Sequence, residues 1–186
     1  MPAIGNSPSA SPAIAPAAPA VSGALHLHRD NPSTLLEAVF RDVEEQRMTD
    51  LPFLNPRLRV EAVDFADWQG HWLGVLITPW AMNLLLLPAS EQGWPRLTQG
   101  AIRRVAFAAG NYDFVASVDA RLGELHTCSL FSPVLEFADQ DSARQTARAA
   151  RIALTTLDDL AAVDTHAAGE ISAPLSRRDF LRRAWR

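Results

Sequence analysis

The sequence predicts an α+β fold: a single domain in which an antiparallel sheet packs with an N-terminal and a C-terminal helix. Two observations lead to this prediction. A central uncharged run, residues 72–88, is interrupted at Thr78-Pro79 and closed by Pro88, so that each piece has the length of a strand. Helical periodicity occurs before and after the strand-like segments, and this order of elements is typical of two-layer α+β domains.

The central run is predicted to form two buried strands, residues 72–77 and 82–87. Neither piece approaches the roughly 20 apolar residues that a membrane-spanning helix needs. The strands are joined through Pro79-Trp80, because proline has no amide donor for a ladder and forces an extended residue before it.

Residues 1–28 are predicted to form a disordered extension. This segment is rich in alanine, proline and serine, and its first 23 residues contain no lysine or arginine. It therefore lacks the basic start of a secretory signal. It also buries too little apolar surface to offset the conformational entropy that ordering would cost.

A helix is predicted to open at Asn31-Pro32, where a capping residue precedes a proline, and to end near Met48. Its apolar face consists of Leu35, Leu36, Val39, Phe40 and Val43.

Four further strands are predicted at residues 57–62, 103–107, 112–118 and 122–131, with a tight turn at Gly110-Asn111. A last helix is predicted from Asp139 or Asp141 through Leu160, lying on one face of the sheet. Its apolar face is made mostly of small residues: Ala143, Ala147, Ala150, Leu154, Leu157 and Ala161. We place the folded domain at residues 29–165 and a flexible basic tail at residues 166–186.

The charge distribution separates an acidic body from a basic tail. Five arginines and one aspartate from Ser176 onward give +4, which leaves −8 for the rest of a chain whose formal net charge is −4. An acidic body argues against binding to a nucleic-acid backbone. A single cysteine, Cys128, excludes an internal disulfide and indicates a reducing compartment, which we take to be the cytoplasm. The nine glycines form no phosphate-binding loop.

The residues point to no catalytic set and to no metal or cofactor. The five histidines lack the spacing of a zinc motif on a helix. One pair remains as an alternative: His126 and Cys128 share a face if they lie on one strand, which would suit a thiol-dependent enzyme or redox protein. Packing of Cys128 as a small hydrophobe is the other interpretation of the same pattern.

The aromatic segment is the candidate for a binding surface. Trp68, Trp72, Trp80 and Met82 are residues of the kind enriched where a protein contacts an apolar peptide, although each can equally fill the core. Asn83 carries an amide within an apolar run, which needs hydrogen-bond partners from the fold or from a bound peptide.

Three motifs together carry a resemblance that covers about residues 31–160. They are Asn55-Pro56, the run WQGHWLGVLITPWAMNLLLLP at residues 68–88, and CSLFSP at residues 128–133. On these motifs the chain resembles the HybE/HupJ family of nickel-iron hydrogenase assembly chaperones.

The resemblance implies a non-enzymatic chaperone that binds the immature hydrogenase small subunit and coordinates cofactor loading with export. The large subunit and other maturation proteins are further candidate partners, and no nucleic acid and no membrane span are expected. The predicted client-binding residues are Trp68, Trp72, Trp80, Met82, Asn83, Cys128, Ser129, Phe131 and Pro133.

The basic tail contains SRRDFLR at residues 176–182, which is similar to the motif of twin-arginine export signals but stands at the wrong end of the chain. One hypothesis is that Arg177, Arg178, Phe180 and Leu181 mimic the client's signal and occupy the peptide site. The alternative is a solvated basic tail.

Overall fold

A computed structural model describes residues 25–48 and 52–156 of the chain. Its elements are α1 (Ser33–Val43), β1 (Glu61–Trp68), β2 (His71–Ile77), β3 (Met82–Pro88), β4 (Ile102–Phe107), β5 (Gly110–Asp119), β6 (Gly123–Phe131) and α2 (Gln140–Thr155). The six strands form one antiparallel sheet in the order β1-β2-β3-β6-β5-β4. The predicted α+β architecture is confirmed.

The two predicted central strands are confirmed as β2 and β3, which pair in register with Gly74 opposite Leu85. A tight turn joins them, in which the backbone N–H of Thr78 donates to the carbonyl of Ala81 at 2.9 Å. The Thr78 hydroxyl exchanges two further hydrogen bonds with the backbone of Ala81. Proline at the second position of this turn supplies the φ that the turn requires.

Each face of the sheet carries its own apolar core. The first core lies under α2 and includes Leu73, Val75, Met82, Leu84, Leu86, Phe114, Cys128, Ala143, Ala147 and Leu154. The second lies under α1 and includes Leu36, Val39, Val60, Phe65, Leu76, Leu85, Leu87 and Leu125. Alternation along β2 and β3 supplies both cores, because successive side chains point to opposite faces.

The first helix is confirmed, but it begins at Ser33 with Pro32 as its N-cap, so the predicted cap at Asn31 is wrong by one residue. The side chain of Asn31 accepts from the backbone N–H of Ser33 at 2.9 Å and donates to the carbonyl of Phe65 at 2.8 Å. The α-helix ends at Val43, and a π-helical turn, Glu44–Met48, continues it to the predicted end.

The second helix begins with a capping box between Asp139 and Ser142. The predicted small residues are its buried face, and they let the helix lie close to β1 and β2. The helix ends at Thr155, and Thr156 is extended, so the predicted continuation of the helix to Leu160 is wrong. Leu157, Leu160 and Ala161 of the prediction lie outside the described residues.

Two predicted strand starts and one predicted turn were also wrong. The first strand begins at Glu61 instead of residue 57, because the backbone N–H of Arg59 donates to the side chain of Gln140 at 2.9 Å and not to a strand. The turn between β4 and β5 is Ala108-Ala109, and Gly110 and Asn111 already pair in β5. The last strand starts at Gly123, one residue after the predicted Leu122.

The segment at residues 25–28, which the sequence analysis placed in a disordered extension, contacts the sheet. His28 donates its backbone N–H to the carbonyl of Pro88 at 2.9 Å and accepts from the indole of Trp72 at 2.8 Å. The imidazoles of His26 and His28 donate to the carbonyls of Arg121 and Leu122. Residues 25–28 therefore belong to the folded part of the chain.

Neither of the two α-helices within the described ranges is long and apolar enough to span a membrane.

Gly74 is required by the close approach of Phe65, since a Cβ at residue 74 would lie 2.4 Å from the ring. We predict that Gly74→Ala lowers the free energy of unfolding by about 1–3 kcal/mol through overpacking, measured by urea denaturation. In a Phe65→Leu background the same substitution should cost less, and additive costs would contradict this account.

Candidate functional site

Asn55 ties together three segments at one end of the sheet. Its backbone N–H donates to the carbonyl of Pro79 at 2.8 Å. Its side-chain amide donates to the carbonyls of Val134 and Phe137 at 3.0 and 2.8 Å, and its side-chain oxygen accepts from the backbone N–H of Arg57. Asn55 is only 3% exposed, so these hydrogen bonds are shielded from water and cannot be replaced by it.

We call this region the clamp end: the turn at residues 78–81, the adjoining ends of β3 and β6, and the segment at residues 132–137. Each of the family-like motifs contributes to it, since residues 55–56, 78–83 and 128–133 all meet there. Motifs that are far apart in sequence thus converge on one place in the fold.

The clamp end brings together five of the predicted client-binding residues. Ser129 and Pro133 are exposed, and Trp80, Asn83 and Phe131 are partly exposed. Asn83 pairs with Ser129 across β3 and β6, and the ring of Phe131 meets that of Phe137 edge-on at 5.2 Å.

The amide of Asn83 has no hydrogen-bond partner among the described residues, and it is not fully buried. The idea of an amide satisfied inside the core is therefore wrong in this conformation. A partly exposed amide without an internal partner is able to pair with the backbone of a bound peptide.

Two predicted residues lie beneath this surface instead of on it. Met82 is 0% and Cys128 1% exposed, and both belong to the core under α2. They support the clamp end by packing, and a client cannot touch them without displacing that core.

Trp68 and Trp72 lie at the opposite end of the sheet, where β1 turns into β2. The indole of Trp68 stacks on the ring of Phe107 with centroids 4.7 Å apart. The indole of Trp72 lies on the α1 face and donates to His28. The structure does not unite these two tryptophans with Trp80, so the predicted surface divides into two regions. The predicted tail residues Arg177, Arg178, Phe180 and Leu181 lie outside the described residues.

The pair proposed for thiol chemistry shares one face of β6, as the spacing predicts. Both His126 and Cys128 are only 1% exposed, however. A substrate therefore has no open approach to either group in this conformation, and a reactive role would need the covering residues to move.

Sequence reasoning missed a second polar site, the histidine cluster, formed by His71, Trp94, Arg103, Glu124 and His126. The indole of Trp94 stacks on the imidazole of His126 at 4.2 Å and meets that of His71 edge-on at 5.2 Å. Glu124, 2% exposed, accepts from the Trp94 indole at 3.2 Å and from Arg96 Nε at 2.8 Å. The guanidinium of Arg103 lies 5.8 Å above the Trp94 ring and 3.5 Å from Nδ1 of His126.

Burial and positive charge keep both imidazoles of the cluster neutral. Burial, then Arg103, then His71 lower the pKa of His126 to about 4. Burial, followed by Arg103, lowers the pKa of His71, with a partial opposing effect from Asp67. Burial also lowers the pKa of Arg103. One nitrogen on each ring, Nδ1 of His71 and Nε2 of His126, is buried without a hydrogen-bond partner among the described residues.

One signal in the sequence could have revealed this cluster. Glu124, His126 and Cys128 alternate along a strand that is otherwise suited to burial, so they place a carboxylate and an imidazole on the same inward face. Within the described ranges, no three side chains of the metal-binding types converge.

Comparisons with known proteins agree on one family. The family model described as [NiFe]-hydrogenase assembly, chaperone, HybE matches residues 31–183. The chain is 42% identical over 149 residues to the hydrogenase expression/formation protein HupJ of Bradyrhizobium diazoefficiens, covering 80% of this chain and 85% of that protein. It is 31% identical over 110 residues to the hydrogenase-2 operon protein HybE of Escherichia coli K12, covering 56% and 64%.

A further relative, the probable rubredoxin HupJ of Rhodobacter capsulatus, is 37% identical over 138 residues, and the match spans 49% of that longer protein. The solution structure of HybE from Escherichia coli matches the fold with a TM-score of 0.58 at 23% identity, covering 82% of this chain and 93% of that one. At this identity the structural likeness supports the fold alone.

We predict that Asn55→Asp lowers the free energy of unfolding by about 2–4 kcal/mol, because a carboxylate cannot donate to Val134 and Phe137 and leaves both carbonyls unsatisfied. Chemical denaturation measures the loss. Asn83→Asp is the matched control and should cost less than about 0.5 kcal/mol, since a partly exposed amide loses no internal bond. Equal costs would contradict the role given to Asn55.

We predict that the free energy of unfolding decreases on acidification, over the pH range between the unfolded-state and folded-state pKa values of His126. The folded state holds the pKa of His126 at about 4, against an ordinary value of 6.5, so the unfolded chain takes up the proton first. The free energy of unfolding should therefore decrease by roughly 2.5 kcal/mol as pH drops from about 6.5 to 4. The lowered pKa of His71 acts in the same direction. Denaturation curves at a series of pH values test this, and His126→Gln should flatten the slope.

Proposed function

This chain belongs to the HybE family of nickel-iron hydrogenase assembly chaperones, and from that premise we propose that it binds an immature hydrogenase small subunit in the cytoplasm. In this proposal the chaperone holds the subunit back until its cofactors are loaded, and releases it for export. It acts by binding and performs no catalysis. The large subunit and other maturation proteins are further partners that the same surface could receive.

The single observation that supports a binding surface is the clamp end. Asn83 and Ser129 pair across β3 and β6 and present an amide and a hydroxyl to solvent, and the partly exposed Trp80 and the exposed Pro133 lie in the segments that precede β3 and follow β6 within the clamp end. Surfaces that hold peptides combine such apolar and hydrogen-bonding groups.

The frame beneath that patch is fixed before any client arrives. Asn55 joins the turn at residues 78–81 to the segment at residues 132–137 through hydrogen bonds shielded from water. A preformed surface loses little conformational entropy on binding, which favours affinity for a weakly structured client segment.

We propose further that the client segment is the twin-arginine signal of the small subunit, and that the tail competes for the same surface. Arg177, Arg178, Phe180 and Leu181 reproduce the order of basic and apolar residues in such a signal. The acidic balance of the body, −8 before Ser176, would favour both the signal and the tail over an acidic peptide.

The experiment is a pull-down of tagged chain from hydrogenase-expressing cells, comparing small-subunit precursor with and without its signal. We expect recovery with the signal and at least tenfold less in Trp80→Ala, because that substitution removes the partly exposed indole. Trp68→Ala is the matched control from the opposite end of the sheet and should retain the precursor. Truncation before Ser176 should raise affinity for a synthetic signal peptide.

The possible outcomes separate the parts of this proposal. Recovery of the precursor without its signal would move the contact to the folded subunit and refute the signal-reading role. An unchanged affinity after truncation would refute competition by the tail. Recovery of no hydrogenase subunit at all would refute the client-binding role itself.

A further inference from the structure

The sheet has two edge strands, β1 and β4, and side chains occupy hydrogen-bonding groups along the edge of β1. The backbone N–H of Ala62 donates to the carboxylate of Glu37 at 3.0 Å. The carbonyl of Phe65 accepts from the side-chain amide of Asn31 at 2.8 Å. The positive φ of Asp64 lies between these two bonds and interrupts the pairing with β2. This edge is therefore protected against a further strand.

The edge of β4 is regular and open. Its six residues pair with β5 without a register shift and include no proline. In the continuation of this pairing the backbone N–H of Ala116 donates to the carbonyl of Ala101 at 2.8 Å. Because hydrogen-bonded positions alternate along an antiparallel pair, the N–H and C=O groups of Ile102, Arg104 and Ala106 face away from β5. Within residues 25–48 and 52–156 these groups have no hydrogen-bond partner.

The outer face of β4 carries an apolar and a basic side chain. Ile102 is 67% exposed, more than any other large apolar side chain in the described ranges, and Val115 opposite it on β5 is 41% exposed. Arg104, two residues along the same face, donates from Nε and Nη2 to Asp113 at 2.8 and 3.1 Å. Its Nη1 therefore remains able to donate to a second carboxylate. A strand added at this edge would cover Ile102 and lie beside Arg104.

The charge of β4 selects among the strands that could be added. In an antiparallel pairing of two copies with Ile102 opposite Ala106, Arg104 would face the same arginine of the second copy. Like charges directly opposite each other destabilise a strand pair. An arginine on an open edge thus opposes self-association, whereas a carboxylate in the opposite position stabilises the pair.

We propose that the open edge of β4 binds an extended acidic segment of another polypeptide, which joins the six-stranded sheet as a further antiparallel strand. The backbone groups of Ile102, Arg104 and Ala106 supply the hydrogen bonds, as in other cases of strand addition. A carboxylate of the segment pairs with Arg104, and an apolar side chain two residues away covers Ile102. The clamp end lies on β3 and β6, so this second surface goes beyond the proposed client contact and does not depend on it.

The probe is the blocked peptide acetyl-Thr-Val-Thr-Glu-Thr-Val-Thr-amide, whose valines and glutamate share one face of a strand. The first control peptide has lysine in place of glutamate. The second carries N-methyl groups on the glutamate and both valines, which removes the donors that an antiparallel strand presents to β4. Each peptide is titrated into the full-length chain, and the backbone amides of β4 are followed by NMR and hydrogen exchange.

We expect saturable binding of the glutamate peptide, about fivefold weaker binding of the lysine peptide, and no binding of the N-methylated peptide. At saturation the exchange of the amides of Ile102, Arg104 and Ala106 should slow by about tenfold. The amide of Val105 pairs with β5 in the free chain, so its exchange should not change.

Ala106→Pro tests the backbone contact, because proline at this position removes an outward N–H and no bond to β5. It should weaken binding by about tenfold. The matched control Ala106→Val keeps the donor and should bind within about twofold of the native chain. Arg104→Gln tests the charge and should bring the affinities of the glutamate and lysine peptides to within about twofold of each other. Far-UV circular dichroism checks that each variant is folded.

Absence of binding, equal affinity of the native chain for the glutamate and lysine peptides, or saturable binding of the N-methylated peptide would each overturn the proposal. Slow exchange at the amides of Ile102, Arg104 and Ala106 before any peptide is added would show that the edge is already covered, and it would overturn the proposal too. If Ala106→Pro does not fold, the N-methylated peptide still tests the backbone contact and Arg104→Gln the charge.

Discussion

The hydrogen bonds of Asn55 are the constraint on which the clamp end depends. Without them the turn after β2 and the segment after β6 would be two independent loops, since each leaves backbone carbonyls facing the interior. Asn55 satisfies both, because its backbone N–H donates to the turn while its side-chain amide donates twice to the segment after β6. Sequence motifs that look like separate signatures are thus parts of one hydrogen-bonded unit.

The two polar sites of the domain illustrate opposite uses of buried hydrogen-bonding groups. At Asn55 each group finds a partner, which gives rigidity. In the histidine cluster the aromatic contacts of Trp94 hold two imidazoles in place while one nitrogen of each stays unpaired. The first arrangement supports a surface, and the second leaves two buried nitrogens without a partner among the described residues.

Patterns with strong local causes could be predicted from the sequence. The central strands follow from uncharged runs bounded by proline, and the small-residue face of α2 follows from its periodicity. The start of β1 could not be predicted, because Leu58 and Val60 alternate like a strand while a side chain of α2 takes the neighbouring backbone donor. The strand propensity of a segment carries no information about a hydrogen bond to a distant helix.

The residue types of the candidate surface could be predicted from the sequence, but their positions in the fold could not. Trp72 and Trp80 belong to one motif, yet β2 separates them by the length of the sheet. Met82 and Asn83 are adjacent, yet the pleat sends one into the core and the other toward solvent. The histidine cluster depends on β2, β4, β6 and a loop meeting in space, and the alternation along β6 indicates only two of its members, Glu124 and His126.

The irregularity in β1 links the two sides of the domain. Asp64 has a φ of 50°, and the register shifts between Val63 and Ala66, which is a β-bulge. Val63 therefore enters the core under α2 while Phe65, two residues later, enters the core under α1. The same segment of β1 thus packs against α2 through Val63 and against α1 through Phe65. Loss of either helix would therefore remove packing contacts from the strand on which the other helix lies. We expect the layers to open as one cooperative unit in hydrogen exchange.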